Sequence, residues 1–542
     1  MSETPTAAVA RTAAVARTAV VDGEPGPAVG AVVDALTRLG VRVIERVAGD
    51  ERVAERVAGD EPAPDLYCVV LTGNDAYRSS GPPGRLDRRR AADVAAAMAD
   101  RGAGRLLLIT DSGFCLHLGG TADLAADRAG DLRWWQHLAA RNAASGVCAN
   151  TLSLGYAPFL GHTLPKDVEA ELFRHIPIRR AVTSTDLQGA LRLFVEGACS
   201  YLVGETVPVD AGQDLNLIAV PRDTSHPAPH CAPHRAQDQE GDVPNRQPVS
   251  ERQVSEQSVS ERQISEQQVS GRRPVCLVVG ASSGIGRAVA LDLARRGTDL
   301  VLASRRVDAL QEVATSAADF GVRTWVLPCD VADHDQVGDL VAQAIESAGR
   351  IERAVYAAGN LSFGHNPAGT GRTFAVNLFG YMTLCERLTA YWREHAIPGS
   401  IVGVSSVSNE SVPVTHVEEY GASKAAMTQF SRCLAATVAR DGIRVNCVCP
   451  GIIRTPMGQV AGPAVQRGWV ARIPAGRVGD PQDVAPLITW LLSDDAGLVT
   501  GARLRVDGGF GLGGLPPLVP PLAAPFAAPL ASAGCEEEET VR

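Results

Sequence analysis

The chain has 542 residues, which is too long for one ordinary hydrophobic core, because single domains usually stop growing near about 250 to 300 residues. Its net charge of -10 and its 21% of charged residues are typical of a soluble globular protein and argue against binding to a nucleic-acid backbone. No stretch reaches the roughly 18 to 20 consecutive apolar residues of a membrane helix, and the start of the chain lacks the apolar core of a secretory signal. We therefore expect a cytoplasmic protein of two domains, with no nucleic-acid or membrane partner.

The cysteines also indicate a reducing compartment. All 12 stand singly and none forms a Cys-x-x-Cys pair, which fits buried thiols in a reducing compartment better than a disulfide framework. A cluster of possible metal ligands lies among prolines with no supporting residues nearby, and it consists of His226, His230, Cys231 and His234. We predict no metal site.

Low-complexity segments divide the chain. Residues 1–25 are predicted to be disordered and residues 26–220 to form a first domain. Over residues 221–273 the apolar periodicity is lost and a five-residue repeat appears, Val-Ser-Glu-Arg-Gln from Val249 onward. A period of five places the apolar residues on no single face of a helix or strand, which predicts a disordered linker. A second domain follows at 274–512, and the Pro/Ala-rich and then acidic segment 513–542 is predicted to be a disordered tail.

A nucleotide-binding turn opens the second domain. The apolar run Val275–Val279 leads into Gly280-Ala-Ser-Ser-Gly284-Ile-Gly286, and a helical pattern follows from Arg287 to Arg296. Glycines allow the backbone to approach a pyrophosphate closely, and the helix N-terminus offers free N–H groups and a positive dipole to that anion. Three glycines alone are weak evidence, but a strand before them and a helix after them favour a dinucleotide site over an ordinary tight turn.

The next predicted strand, Asp299–Ala303, ends where an acidic residue would hold the ribose 2′-hydroxyl of NAD. Ser304 and Arg305 stand there instead. An arginine offers a planar cation to a 2′-phosphate, so the sequence favours NADP(H) over NAD(H). The alternative is a solvated loop arginine with no ligand.

Together these motifs resemble the short-chain dehydrogenase/reductase family, and most closely its β-ketoacyl-carrier-protein reductases. The resemblance covers about 235 residues and rests on motifs in the family's order, namely Gly280–Gly286, Cys329-Asp330-Val331, Ala357-Ala358-Gly359, Tyr420-Gly-Ala-Ser-Lys424 and Pro450-Gly451. By this resemblance Asp330 would bind the adenine amino group, and Pro450 to Thr455 would line the nicotinamide. The full set of predicted cofactor-binding residues is Gly280, Ser282, Ser283, Gly284, Ile285, Gly286, Ser304, Arg305, Asp330, Val331, Ala358, Gly359, Tyr420, Lys424, Pro450, Gly451, Ile453 and Thr455.

Four residues are predicted to catalyse carbonyl reduction. A phenol can donate a proton at neutral pH only if its pKa of about 10 is lowered, and a neighbouring cation has that effect. Tyr420 and Lys424 are four residues apart on a predicted helix, so their side chains share one face. The resemblance assigns substrate orientation to Ser406, which we choose over Ser405, and a place in the proton relay to Asn377.

Two residues depart from the family pattern. Val279 replaces the usual threonine before the glycine turn, and Tyr356-Ala357 replaces the usual Asn-Asn. In the family those threonine and asparagine side chains brace each other. We interpret their joint loss as a compensated change to apolar packing.

The first domain resembles a degenerate copy of the second at an offset near 297 residues. Gly146-Val-Cys-Ala-Asn150 parallels Gly442-Ile-Arg-Val-Asn446, and the segment from Gly204 to Asp210 parallels that from Gly501 to Asp507. The catalytic pattern is missing from this copy.

Counting back from Asn150, Leu124 and Arg128 stand at the positions of Tyr420 and Lys424. No glycine-rich loop is recognised before the predicted helix near Ala31–Leu39, and Asp111 and Ser112 follow the strand where a catalytic serine would lie. We expect a non-catalytic domain that pairs with the second domain as a pseudo-dimer, through the helix with the Tyr/Lys motif and the last strand, with further homodimerisation of the chain.

The sequence thus predicts an α/β protein with two Rossmann-type doubly wound parallel-sheet domains in tandem, joined by a disordered linker. The predicted function is an NADPH-dependent ketoreductase acting on a 3-oxoacyl-carrier-protein or polyketide-type carbonyl. Val460, Trp469 and Val470 in the lid region would allow an apolar substrate. The alternatives are an NADP-dependent alcohol dehydrogenase working in the oxidative direction, and a cofactor-binding scaffold or sensor with vestigial catalysis.

Overall fold

The computed structural model describes residues 18–23, 26–47, 64–71, 86–111, 122–162, 164–196, 200–215, 272–362, 367–411, 416–458 and 463–512. These residues form two parallel sheets, one in each half of the chain, which confirms the predicted pair of doubly wound α/β domains. The predicted linker at 221–273, apart from Arg272 and Arg273, lies outside the described residues. The histidine-rich cluster and the tail at 513–542 lie outside them as well.

The N-terminal sheet has six parallel strands in the order β2-β1-β3-β4-β5-β6. Its strands are β1 Thr18–Gly23, β2 Arg42–Val47, β3 Leu66–Leu71, β4 Gly104–Thr110, β5 Val147–Leu154 and β6 Thr206–Val209. The helices of this half are α1 Pro27–Arg38, α2 Arg88–Arg101, α3 Ala122–Asn142, α4 Lys166–His175 and α5 Ser184–Val195.

The C-terminal sheet has seven parallel strands in the order β13-β12-β11-β10-β7-β8-β9. Its strands are β7 Val275–Val279, β8 Asp299–Ser304, β9 Thr324–Pro328, β10 Arg353–Tyr356, β11 Ser400–Val404, β12 Arg444–Pro450 and β13 Arg503–Val506. Its helices are α6 Gly284–Arg295, α7 Val307–Ala318, α8 His334–Ala348, α9 Pro367–Phe374, α10 Gly380–Glu394, α11 Glu418–Val438, α12 Pro463–Val470 and α13 Pro481–Leu492.

The central strands are continuous apolar runs because helices cover both faces of each sheet. Every residue of β3, β5, β7 and β11 is buried. In both sheets the strand order reverses once, between β1 and β3 in the N-terminal half and between β7 and β10 in the C-terminal half. Ligands of such sheets bind at the carboxyl ends of the strands beside this reversal, which places the candidate site of the C-terminal half above β7 and β10.

Matched hydrogen bonds recur in the two halves. One buried asparagine in β5 and one in β12 tie their strand to the segment before the last strand. The bonds run from Asn150 Nδ2 to the Leu202 carbonyl and from the Glu205 N–H to Asn150 Oδ1, and from Asn446 Nδ2 to the Val499 carbonyl and from the Ala502 N–H to Asn446 Oδ1. All four distances lie between 2.8 and 3.0 Å. The halves therefore share local geometry as well as topology, in agreement with the predicted repeat.

The sheets differ at one edge, where the N-terminal half has no counterpart of β9 among its described residues. Two predictions about the start of the first domain also need correction. Strand β1 begins at Thr18, within the segment 1–25 that was predicted to be disordered. Helix α1 begins at Pro27 and not near Ala31, and the two glycines that precede it in the chain, Gly23 and Gly26, were overlooked in the prediction.

Among the described cysteines seven are buried, but Cys433 is exposed on α11, contrary to the expectation of buried thiols. No helix in the described part of the chain is long and apolar enough to cross a membrane.

Candidate active site

A cavity of about 390 Å³ opens at the carboxyl ends of the C-terminal strands. Of the 18 predicted cofactor-binding residues, Gly286 does not line it and the other 17 do. Ser406 also lines the cavity, whereas Asn377 does not. The motifs singled out from the sequence thus meet in one place, although they lie far apart along the chain.

The glycine turn fits the close approach of an anion. Gly280 has a φ of +85°, and a Cβ added there would lie 2.5 Å from the Ala358 backbone nitrogen. A Cβ on Gly286 would lie 2.2 Å from the Gly280 carbonyl oxygen, so that glycine sets the contact between α6 and the turn. No side chain caps the N-terminus of α6, which leaves its first N–H groups to a ligand in the cavity. These residues fit a dinucleotide pyrophosphate.

Apolar packing surrounds the two departures from the family pattern. Val279 and Tyr356 are both buried in one hydrophobic cluster, and the Ala357 N–H donates to the Val279 carbonyl at 2.8 Å. The Tyr356 hydroxyl donates to the Val376 carbonyl. A backbone hydrogen bond and a buried ring therefore join the two loops.

Basic residues line the end of the cavity beyond β8. Arg305 lines it as predicted, and Arg306 lies beside it and donates to the hydroxyls of Ser282 and Ser283 at 3.0 and 2.8 Å. Both serines belong to the glycine turn. A guanidinium tied to the glycine turn could meet an anionic group of a bound dinucleotide. Sequence reasoning singled out Arg305 alone, whereas both adjacent arginines line the cavity.

Asp330 carries a partner that the sequence did not indicate. Arg372 donates to it at 3.1 Å across the cavity mouth. Burial raises the pKa of Asp330, but hydrogen bonds from the Ala332 N–H and from Arg372 outweigh burial and hold it below its usual range. The carboxylate is therefore ionised and can accept a hydrogen bond from an adenine amino group.

The candidate catalytic hydroxyls lie next to each other. Tyr420 and Lys424 lie on α11, and Ser406 follows β11 close enough to Tyr420 for its hydroxyl to lower the pKa of the phenol. Ser406 Oγ also accepts from the Ser408 N–H at 3.1 Å. The Ser405 hydroxyl donates instead to the Lys424 carbonyl at 3.0 Å, so it braces α11 and is not the hydroxyl beside Tyr420.

Lys424 is buried behind this pair. Its ammonium donates to the Val404 carbonyl at 2.8 Å and lies 5.9 Å from the centre of the Tyr420 ring. Burial lowers the pKa of Lys424 to about 8. The chain contains only two lysines among 51 basic residues, and this composition was an overlooked signal. An amine can lose its proton near neutral pH, whereas a guanidinium cannot.

The expected lowering of the Tyr420 pKa is wrong for the cofactor-free protein. Burial raises the pKa of Tyr420 above its usual range, and the hydrogen bond with Ser406 lowers it only in part. The sequence argument assumed a fully charged lysine pointing at the phenol, but the Lys424 ammonium is itself buried and is directed at a carbonyl oxygen. The phenol is therefore held in its protonated form.

Asn377 lies in the second layer of the site, within a π-helical turn, Ala375–Phe379, between α9 and α10. Its amide nitrogen donates to the Asn360 carbonyl and to Ser423 Oγ, both at 2.9 Å, and its oxygen accepts from the Asn360 N–H at 2.7 Å. Such π-helical turns are frequent at functional sites. Because Ser423 belongs to α11, Asn377 connects the helix of Tyr420 to the loop after β10.

The corresponding edge of the N-terminal sheet carries different chemistry. Strand register pairs Leu107 with Asn150 and Val402 with Asn446, so Asp111 falls where Ser406 lies in the other half. The Asp111 carboxylate is buried 3.4 Å from the His162 ring. The side chains of Leu124 and Arg128, and Ser112 altogether, lie outside the described residues.

No group of three or more histidines, cysteines or acidic residues in the described segments could hold a metal ion.

Known proteins are similar to the C-terminal half of the chain. A family model described as enoyl-(acyl carrier protein) reductase matches residues 280–511. Glucose 1-dehydrogenase of Gluconobacter oxydans is 36% identical over 245 residues, which cover 44% of this chain and 92% of that protein. The chain belongs to the short-chain dehydrogenase/reductase family. L-rhamnose 1-dehydrogenase (NAD(P)(+)) of a Sphingomonas species is 36% identical over 43% of this chain and 94% of that protein.

A reductase of acyl-carrier-protein substrates is similar to the same region. The 3-oxoacyl-acyl-carrier-protein reductase of Thermotoga maritima is 32% identical over 239 residues, which cover 43% of this chain and 96% of that protein. Members of this family are dehydrogenases and reductases of alcohol and ketone groups, and dependence on a pyridine nucleotide is typical of them. The C-terminal half is accordingly an oxidoreductase.

Proposed function

We propose that the C-terminal half uses NADPH to reduce the ketone of a carrier-bound or polyketide-like β-keto substrate. The observation that carries this proposal is the contact between the Tyr420 and Ser406 hydroxyls at the cavity wall, with the buried amine of Lys424 behind them. Two adjacent hydroxyls can both reach one carbonyl oxygen. A buried amine beside them can respond to charge that develops there.

The bound nicotinamide would supply a hydride to the carbonyl carbon. Ser406 donates a hydrogen bond to the carbonyl oxygen and orients it, and Tyr420 transfers its phenolic proton to the alkoxide that forms. Burial keeps the phenol protonated in the cofactor-free protein, so Tyr420 holds a proton that it can give when an alkoxide forms. An alcohol dehydrogenase would need the phenolate form at the start of the reaction.

Lys424 and Asn377 support the proton transfer. The pKa of Lys424 is about 8, so its amine carries a positive charge at neutral pH. This charge stabilises the phenolate left on Tyr420. Asn377 holds the Asn360 backbone beside the site. Through Asn360 and Ser423 it fixes the loop where a relay to solvent would pass.

The preference for NADPH is part of the proposal. Its support is the absence of a carboxylate at the end of β8 and the presence of Arg305 and Arg306 at the cavity wall. The one carboxylate of this wall in the described chain, Asp330, is paired with Arg372. A 2′-phosphate would meet two guanidinium groups there.

An apolar acyl chain is the proposed substrate class. Four apolar side chains line the cavity, those of Leu361, Val407, Met457 and Trp469. Of the predicted lid residues, Val470 lies at the end of α12, and Val460 lies outside the described residues. The similarity to a 3-oxoacyl-acyl-carrier-protein reductase points to the same class.

The test is oxidation of NADPH and of NADH by the full chain, with a β-keto thioester, with the bulky ketone trans-decalone, and in reverse with the corresponding alcohols and oxidised cofactors. We expect faster reduction with NADPH, and we expect Arg306→Ala to remove most of that preference. Alcohol oxidation without ketone reduction would indicate a dehydrogenase, and NADPH binding without turnover would indicate a sensor. Either result would contradict the proposal.

We propose further that the N-terminal half is a non-catalytic internal partner of the C-terminal half. Support comes from reciprocal contacts, as in a two-fold dimer: the Gly508 N–H donates to the Tyr201 carbonyl, and the Ala211 N–H donates to the Leu498 carbonyl, both at 3.0 Å. The Trp490 indole on α13 also donates to the Gly189 carbonyl on α5 at 3.0 Å.

The described contacts between the halves involve the α5 and α13 region and the last strands. Arg505 on β13 donates to the buried Glu205 at 2.7 Å. The Tyr/Lys helix was also predicted to take part, and its counterpart in the N-terminal half, α3, contacts the segment Phe510–Leu512 after β13. A matched pair of variants tests the pairing: Gly189→Leu places a side chain against Asp495, whose carbonyl oxygen would lie 2.5 Å from its Cβ, and Gly30→Leu adds the same side chain where a Cβ meets nothing within 4 Å.

We expect Gly189→Leu, and not Gly30→Leu, to split thermal unfolding into two transitions. One unchanged transition in both variants would contradict the pairing. Further homodimerisation in a cytoplasmic setting completes the proposal, and sedimentation of the full chain at twice its monomer mass is the expected result.

A further inference from the structure

Tyr201 crosses from the N-terminal half into the C-terminal half. Its side chain is 0% exposed, and its hydroxyl donates to the Arg477 carbonyl at 3.2 Å. The Arg477 guanidinium lies over its ring, 4.9 Å from the centroid, and Asp483 holds that guanidinium in place from the start of α13. Contacts on both its edge and its face thus fix the ring.

The Tyr201 ring touches Gly479, which supports the loop Ile452–Arg454, here called the cofactor loop. Gly479 pairs with this loop like a short strand: its N–H donates to the Ile452 carbonyl at 2.9 Å, and its carbonyl accepts from the Arg454 N–H at 2.8 Å. A Cβ on Gly479 would lie 2.5 Å from Ile453 Cδ1 and 2.6 Å from Tyr201 Cε1. The ring, Gly479 and Ile453 are therefore stacked in a row, and Ile453 lines the cavity.

The same arrangement is not repeated on the opposite side of the interface. By the offset of the repeat, Leu498 is the counterpart of Tyr201 and Val182 is the counterpart of Gly479. The backbone bonds match, since the Val182 N–H donates to the Tyr156 carbonyl at 2.8 Å as Gly479 does to Ile452. The aromatic ring and the glycine that admits it occur only on the side facing the cavity of the C-terminal half.

We propose that Tyr201 is a positioning residue for the reductase site and that, through Gly479, it holds Ile452–Arg454 in the conformation that receives the nicotinamide. This inference rests on the proposed function of the C-terminal half. It gives the non-catalytic half a definite role: without the ring, a space opens behind Gly479 and the loop can move away from the cavity.

The principal variant is Tyr201→Leu, which installs the residue of the counterpart position. We expect the KM for NADPH and its dissociation constant to rise about tenfold while kcat changes much less, because a displaced loop weakens cofactor placement before it affects the acid. Tyr201→Phe keeps the ring and should restore most of the lost affinity. The matched control, Leu498→Ala, makes a space in the same interface away from the cofactor loop and should leave the KM unchanged.

A second measurement needs no turnover. In the cofactor-free protein, the Gly479 and Arg454 amides should exchange hydrogen at least about tenfold faster in Tyr201→Leu than in wild type or Leu498→Ala. If Tyr201→Leu does not fold, Gly479→Ala should give the same exchange and KM changes, because its new Cβ pushes Ile453 and the ring apart.

Unchanged exchange and KM in both loop variants, or equal changes in Leu498→Ala, would overturn the inference while the reductase proposal stands. A wild-type protein that neither binds nor oxidises NADPH would instead refute the reductase proposal itself.

Discussion

Replacing Lys424 by methionine is expected to abolish turnover and to stabilise the cofactor-free protein at neutral pH. The side chain is 3% exposed, and burial lowers its pKa from 10.5 to about 8. At pH 7 the folded protein must hold a buried ammonium that the unfolded chain solvates freely. The shift of about 2.5 pH units corresponds to a cost of about 3 kcal/mol.

One contact opposes this gain. Lys424 Nζ donates to the Val404 carbonyl at 2.8 Å, and methionine leaves that carbonyl without this donor, which costs about 1 kcal/mol. Methionine is an unbranched side chain of similar length that can fill the same space beside Met427. The net prediction for Lys424→Met is therefore a gain of about 2 kcal/mol in the free energy of unfolding at pH 7.

The stability difference between wild type and Lys424→Met should depend on pH. Because the folded pKa lies below the unfolded one, the cost of the wild-type lysine is complete below pH 8 and disappears as the pH rises from about 8 to 10.5. The advantage of Lys424→Met should fade over the same range. Urea unfolding of both proteins at pH 7, 9 and 10, compared as differences, measures this trend.

The exposed Lys166 at the start of α4 is the chain's other lysine, and Lys166→Met is the matched control, with an expected change near zero. A Lys424→Met protein less stable than wild type at pH 7 would refute the argument from burial. So would a stability difference independent of pH.

Four further substitutions test other parts of the account. Gly286→Ala should weaken NADPH binding by roughly 100-fold, because its Cβ would lie 2.2 Å from the Gly280 carbonyl oxygen. Fluorescence titration measures this affinity, and binding like that of wild type would contradict the role of this contact. Arg306→Glu should shift the ratio of kcat/KM for NADPH over NADH by about 100-fold or more toward NADH, and an unchanged ratio would exclude Arg306 from phosphate binding. Asn150→Ala and Asn446→Ala should each lower the free energy of unfolding by about 2 to 3 kcal/mol, since each leaves two buried backbone groups unpaired. A large effect at only one of the two positions would contradict the structural repeat.

The sequence predicted the site where short-range patterns carry it. The turn from Gly280 to Gly286 and the spacing of Tyr420 and Lys424 reflect local backbone geometry, so both could be recognised without a structure. Parallel-sheet topology then brings them together, since every strand ends at the same edge.

What the sequence could not give depends on three-dimensional packing. The pKa of Tyr420 is raised because burial outweighs its hydrogen bond, and burial is not visible in a Tyr-x-x-x-Lys spacing. The pair of Arg372 with Asp330 joins residues 42 positions apart. The contact of Tyr201 with Gly479 joins the two halves of the chain, and it depends on the absence of a side chain at one glycine. Strand β1 was missed because the segment around Thr18 is as rich in alanine and valine as the low-complexity residues before it.

The most direct test of the central claim compares wild type with Tyr420→Phe in the reduction of a β-keto thioester by NADPH, followed by the loss of NADPH absorbance. Phenylalanine preserves the ring and removes only the proton donor, so we expect kcat to fall by at least about 100-fold while NADPH binding is retained. Undiminished reduction by Tyr420→Phe would show that the proton comes from elsewhere and would contradict the assignment of this site as a reductase centre.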